Sequence, residues 1–198
     1  MAMATVAALL AGCGGGAGKG ASTVGKAGTA ASTGTSTNSG AASADGRQQA
    51  SATHGGFRTI FPAGYSNDLS AAGAETGVEY MAIGPRIGGF ASTLTVFRGP
   101  SNGSDIDGLA RTALHHLSQR PSFLPKVRGL SSLQKLRVDG APALAIDYQL
   151  AGRKPTSRRQ VFVIHGGWAC EISDITEPSQ HAASLRALDE VIRSWRWQ

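Results

Sequence analysis

Four consecutive apolar residues, Val161-Phe162-Val163-Ile164, constrain the fold of this chain more than any other stretch. A strand sends successive side chains to opposite faces, so a run apolar at every position needs cover on both. It belongs in the middle of a sheet with something packed on each side. The surrounding residues, Ser131–Ile175, read as a four-stranded antiparallel meander. Leu136 and Val138 alternate with Lys135 and Arg137, then Asp139-Gly140 turns the chain. Leu144, Ile146, Tyr148 and Leu150 fall on one face of the next strand, with Ala143, Ala145, Asp147 and Gln149 on the other. Gly152–Ser157 makes a second turn, Gly166-Gly167 a two-residue hairpin turn, and Trp168–Ile175 returns.

The residues before and after supply cover. Phe57–Phe61 reads as a short strand closed by Pro62, and Gly77–Ile83 and Phe90–Arg98 as strands around a loop at Gly84–Gly89. Ser104-Asp105-Ile106-Asp107 has the form of a capping box. A helix follows with Ile106, Leu109, Ala110, Ala113, Leu114 and Leu117 as its apolar stripe, and Pro121 stops it. Pro178 opens a second helix. Its apolar residues are Leu185, Leu188, Ile192 and Trp195, and Arg186, Asp189, Glu190 and Arg193 take the wet side.

The first 56 residues are of another kind. Ala2–Leu10 is a short apolar run, too short to span a bilayer as a mature helix, and it suits the apolar region of a signal peptide. It ends in Leu10-Ala11-Gly12-Cys13, which resembles the bacterial lipobox. The resemblance implies that Cys13 becomes the first mature residue and carries acyl chains. No Lys or Arg precedes the apolar run, so the expected start lies further upstream. Gly14–Gly56 is rich in Gly, Ala, Ser and Thr, cannot bury a core, and is expected to be a disordered tether. As a flexible coil of 43 residues it spans about 35 Å root-mean-square. Gly18-Lys19 fails as a phosphate loop: Cys13 stands where the first glycine belongs and Gly20 replaces the Ser or Thr. The expected domains are therefore a signal peptide at 1–12, a lipidated Cys13 with its linker to 56, and a folded domain at 57–198.

Several motifs of the folded part are similar to the PsbP-like/LpqN/DcrB group of small exported domains. They are the opening Phe57-x-x-x-Phe61-Pro62-x-Gly64-Tyr65, the strand Phe90–Arg98 followed by one long helix, and Val138-Asp139-Gly140-Ala141-Pro142-Ala143. The meander ending at Ile175 and a last helix ending Ile192-Arg193-Ser194-Trp195 follow in the same order. The resemblance implies an α+β fold, an antiparallel sheet with helices packed on both faces (an α/β/α sandwich), which agrees with the doubly apolar strand. It also implies a binding or assembly role without catalytic residues or a cofactor.

Candidate chemistry is sparse. Gly99-Pro100-Ser101-Asn102-Gly103 matches the nucleophile-elbow pattern, with His165, His181, Asp147 and Asp174 as conceivable partners of Ser101. An elbow leads directly into its helix, whereas this helix begins near Asp105, so a serine hydrolase is the lesser reading. His115-His116 point about 100° apart on a helix and cannot chelate one ion together. No cysteine–histidine cluster has zinc spacing. Cys170 reads as a small buried apolar residue and Trp195 as core.

Charge offers one surface. From Phe57 onward there are 16 Lys+Arg against 12 Asp+Glu, a balance of +4. Arg153, Lys154, Arg158 and Arg159 flank one hairpin turn, and no acid occurs between Asp147 and Glu171. These cations suit either a solvated turn or contact with anionic lipid or acidic envelope polymer. An exported chain has no call on nucleic acid. Its expected partners are the membrane, through the lipid anchor, and a protein of unknown kind, with a passive envelope spacer as the remaining alternative.

Overall fold

The computed structural model describes residues 46–52, 56–68, 77–87 and 90–198. The chain divides into two units, Met1–Thr37 and Asn38–Gln198, and every described residue belongs to the second. Cys13 and most of the expected tether lie outside the described residues.

The strands are β1 (Gln48–Ser51), β2 (Phe57–Phe61), β3 (Ser66–Asn67), β4 (Val78–Ile87) and β5 (Phe90–Pro100). Helix α1 (Ile106–Ser118) precedes β6 (Val127–Arg128), β7 (Gln134–Val138), β8 (Ala141–Leu150), β9 (Thr156–His165) and β10 (Trp168–Thr176). A 3-10 turn (Pro178–Gln180), α2 (His181–Ser194) and β11 (Arg196–Trp197) end the chain. The large sheet runs β3-β4-β5-β10-β9-β8-β6, with β7 on the same edge of β8 as β6. All its pairings are antiparallel. A second, three-stranded sheet runs β1-β2-β11.

The doubly apolar run sits in β9 between β8 and β10. One cross-strand row is Ala145, Val161, Ile172 and Val96. The adjacent row, on the opposite face, is Leu144, Phe162, Glu171 and Phe97. The first row is fully buried, and in the second only Phe97 is partly open, so both faces of the sheet centre are covered. Two sheet turns match their sequence signals. Asp139-Gly140 and Gly166-Gly167 place both turn residues at positive φ (46° and 82°; 57° and 80°), the mirror-image geometry that matches strand twist.

Two boundaries expected from the sequence are corrected. The loop at Gly84–Gly89 begins later, because β4 continues to Ile87 with a register shift between Ile83 and Arg86. Gly84 is buried there with the Tyr65 ring against it, and a side-chain Cβ would lie 2.8 Å from that ring. The tether also ends earlier than Gly56, since β1 pairs with β2. Its segment Gln48-Gln49-Ala50-Ser51 has no large apolar residue; backbone pairing and the burial of Ala50 and Ala52 hold it.

Both helices follow the expected spans. The cap of α1 is Asp105 rather than Ser104: its Oδ1 accepts from the Gly108 amide at 2.6 Å. All six residues of the α1 stripe are buried or half-buried. In α2 the buried line is Ser184, Ala187, Leu188 and Val191, while the expected Leu185 and Ile192 flank it. Trp195 follows, fully buried and stacked on Phe57 at 4.1 Å, which ties the end of α2 to the small sheet. α1 lies against β8 and β9, and α2 against β2, β9 and β10.

Candidate functional site

The hairpin β8–β9 separates the four cations that the sequence placed together. Arg153 and Lys154 are exposed on the turn itself. Arg158 and Arg159 are already within β9, half-buried and on opposite faces of the sheet. Arg159 pairs with Asp147, Nε to Oδ1 3.0 Å, and donates to the Gln134 side chain. Arg158 lies beside Tyr148, its register partner on β8, where its charge opposes the rise that burial gives the Tyr148 hydroxyl pKa. The four cations that flank the turn therefore do not share one exposed face. Strand alternation begins at Thr156, so only the first two remain at the tip.

β10 carries two buried carboxyl groups on opposite faces, a feature that the sequence reading did not single out. Glu171 is pushed up to about 7 by burial, against the opposing effects of its hydrogen bond from Gln160 and the Arg158 charge. Gln160 Nε2 donates to Glu171 Oε1 at 2.7 Å. Asp174 is also pushed up to about 7 by burial, and Ser184 and Arg159 pull the other way. The Ser184 hydroxyl donates to Asp174 Oδ1. Tyr65 stands near this second group, and burial raises its hydroxyl pKa. Charged groups so placed are strand positions whose parity points inward; polarity alone hid them.

Ser101 is not joined to its conceivable partners. Its amide donates to the Gly167 carbonyl at 2.9 Å, so it sits at the β9–β10 hairpin end, with α1 starting five residues later. Asp174 pairs with Leu94, seven residues back along β5, a separation of roughly 20 Å. Asp147 and Arg159 lie at the same level as Asp174. His165 stacks on Trp197 at 4.5 Å, and His181 opens α2. The end of the sheet that holds Ser101 also carries Trp168, with Arg98 over its ring at 4.1 Å. Trp197 is half-buried and donates from Nε1 to the Val138 carbonyl at 3.1 Å. Cys170, two residues after Trp168 on β10, is buried, and its thiol is pushed up to about 12 by burial, so it stays protonated at neutral pH. His115 and His116 are both exposed, with ring centroids 6.1 Å apart. Among the described residues no group of His, Cys, Asp and Glu could hold a metal ion, and no helix is long and apolar enough to cross a membrane.

No protein-family model and no curated protein matches the sequence. Solved structures do. The solution structure of cyanobacterial PsbP (CyanoP) from Synechocystis sp. PCC 6803 superposes with a TM-score of 0.58 at 17% identity, covering 80% of this chain and 96% of that one. The crystal structure of LpqN, involved in cell envelope biogenesis of Mycobacterium tuberculosis, gives 0.58 at 11% identity, covering 77% and 90%. At such identities the likeness speaks for the fold alone, and it shows that this chain carries a domain of the PsbP-like, LpqN-type fold.

Proposed function

We propose that the chain is a lipid-anchored protein on the extracytoplasmic face of a bacterial membrane, with a non-enzymatic binding or assembly role in the cell envelope. The observation that carries this reading is the fold shared with LpqN across about three-quarters of the chain. Leu10-Ala11-Gly12-Cys13 adds the anchor: the thiol accepts the lipid, and the small residues before it admit the peptidase. Two or three acyl chains hold a protein to a bilayer durably, where one does so marginally. In this reading the domain is a sandwich with α1 and α2 on opposite faces. α1 covers the row of Leu144 and Phe162, and α2 the row of Val161 and Ile172, in keeping with the strands each helix lies against.

The two alternatives separate by experiment. A serine-reactive probe that labels the full-length protein, and not its Ser101→Ala variant, would replace the binding reading with a hydrolase. Cross-linking in intact cells distinguishes a binding module from a passive spacer. Specific adducts that form on the domain and vanish with surface variants support the module; adducts that require only the tether contradict it.

A further inference from the structure

The end of the sheet away from Ser101 combines an exposed aromatic side chain with clustered cations. Phe123, in the connection from α1 to β6, is 84% exposed. This is the most exposed large apolar side chain among the described residues, against 42% for Trp168. The connection is held beside the β8–β9 turn: Val127 pairs with Leu150, and the Ala151 amide donates to the Lys126 carbonyl at 2.8 Å. Lys126 and Arg128 from one segment, and Arg153 and Lys154 from the other, are therefore neighbours at one rim, and all four are exposed. Glu177, just past β10, is the acid closest to this rim in register.

We propose that this rim docks on an anionic bilayer, with Phe123 entering the headgroup–acyl boundary and Lys126, Arg128, Arg153 and Lys154 meeting lipid phosphates. An exposed phenyl ring alone would not choose between surfaces, and cations alone would follow any polyanion. Together on one rim they fit a surface that is negative outside and apolar a few ångströms below. Each cation held near such a surface contributes about fivefold in partitioning at physiological salt or below, and the effect fades over about 8 Å. The docking deepens the envelope reading and rests on it only for placing a membrane within reach. A short tether would then keep a weak contact concentrated.

The test uses the full chain with Cys13→Ser, so that no acyl chain contributes, and with Phe123→Cys carrying an environment-sensitive fluorophore. Cys170 is buried and protonated, so the label goes to position 123. A parallel chain carries the label through Ser104→Cys, an exposed site at the opposite end of the sheet. Vesicles of phosphatidylglycerol and phosphatidylcholine, and of phosphatidylcholine alone, are added at low and physiological salt. The expected result is a blue shift and an emission rise of at least twofold at position 123 on anionic vesicles, smaller at higher salt, with position 104 unmoved. Replacing Lys126, Arg128, Arg153 and Lys154 by Ser should remove the response while circular dichroism stays unchanged. No response at 123, equal responses on neutral vesicles or at 104, or a full response from the four-serine variant would overturn the proposal. So would a response to soluble dextran sulfate with none to vesicles, which would assign the rim to an acidic polymer. Because Cys13 is absent from these chains, a negative result leaves the anchor untouched, and failure of the anchor leaves a positive result standing.

Discussion

The centre of the large sheet and the small sheet β1-β2-β11 are held together in different ways. In β9 large apolar side chains are buried on both faces, and Val161, Phe162 and Val163 are each at most 1% exposed. In the small sheet, burial is concentrated in β2, at Phe57, Thr59 and Phe61, while β1 contributes only Ala50, with Ala52 just after it, and β11 is two residues long. The large sheet would be a sheet in any setting that covered it. The small one exists because β2 lies against α2 and Trp195 closes the joint. Hydrophobic burial therefore carries the first, whereas the second depends on tertiary contacts with a few anchors.

Perturbing the anchor should show this most strongly. Trp195→Ala removes a fully buried ring stacked on Phe57 and should cost about 3–5 kcal/mol in chemical denaturation. Amides of β2 and β11 should lose hydrogen-exchange protection before those of β9. Equal loss in both sheets would mean that they form one cooperative unit. Leu188→Ala, on the buried line of α2, should cost about 2–5 kcal/mol and destabilise both sheets together. Thr59→Val is the local counterpart. Thr59 Oγ1 donates to the Val191 carbonyl at 2.7 Å, and its loss should cost about 1 kcal/mol, felt mainly in the small sheet.

The large sheet has its own weakness, which is pH-dependent. Burial raises Glu171 and Asp174 to about 7 in the folded chain, above the ordinary carboxylate range. The folded state therefore holds protons that the unfolded state has released. The contribution is fully present below the ordinary carboxylate range and is lost as pH rises through 7. Arg158 and Gln160 face Glu171, with Tyr148 beyond; Ser184, Arg159, Asp147 and Tyr65 face Asp174. Denaturation midpoints should fall between pH 5 and pH 8, and the double variant Glu171→Gln, Asp174→Asn should flatten that slope. A midpoint that does not fall over this interval would contradict the raised pKa of both groups in the folded protein. The smallest expected effect is Arg47→Ala. Its contact with Glu190 is exposed and 3.8 Å long, so stability should change by less than about 0.5 kcal/mol.

What the sequence made legible follows the same division. The meander, its turns, the α1 stripe and the burial of Trp195 and Cys170 all rest on strong apolar periodicity or on turn chemistry. β1, β3, β6 and β11 escaped because a two- to four-residue strand has no period to detect; its partner makes it. The α2 line escaped in part because Ser184 occupies a core position, where Asp174 satisfies its hydroxyl. The basic hairpin was visible as composition, but composition does not say where a turn ends and strand alternation begins. Phe123 carried no signal at all, since an aromatic between two prolines, Pro121 and Pro125, reads equally as buried or open. Its meaning came from the pairing of β6 with β8, which sets it beside a charged turn.

The proposed membrane anchor is the claim of the account most directly open to test, by detergent partitioning. The chain would be expressed in a bacterium with a basic segment added before Ala2, so that export does not depend on the native start. The unmodified cysteine should place the protein in the detergent phase, and Cys13→Ala should release it to the aqueous phase. Equal partitioning of the two proteins would contradict the account.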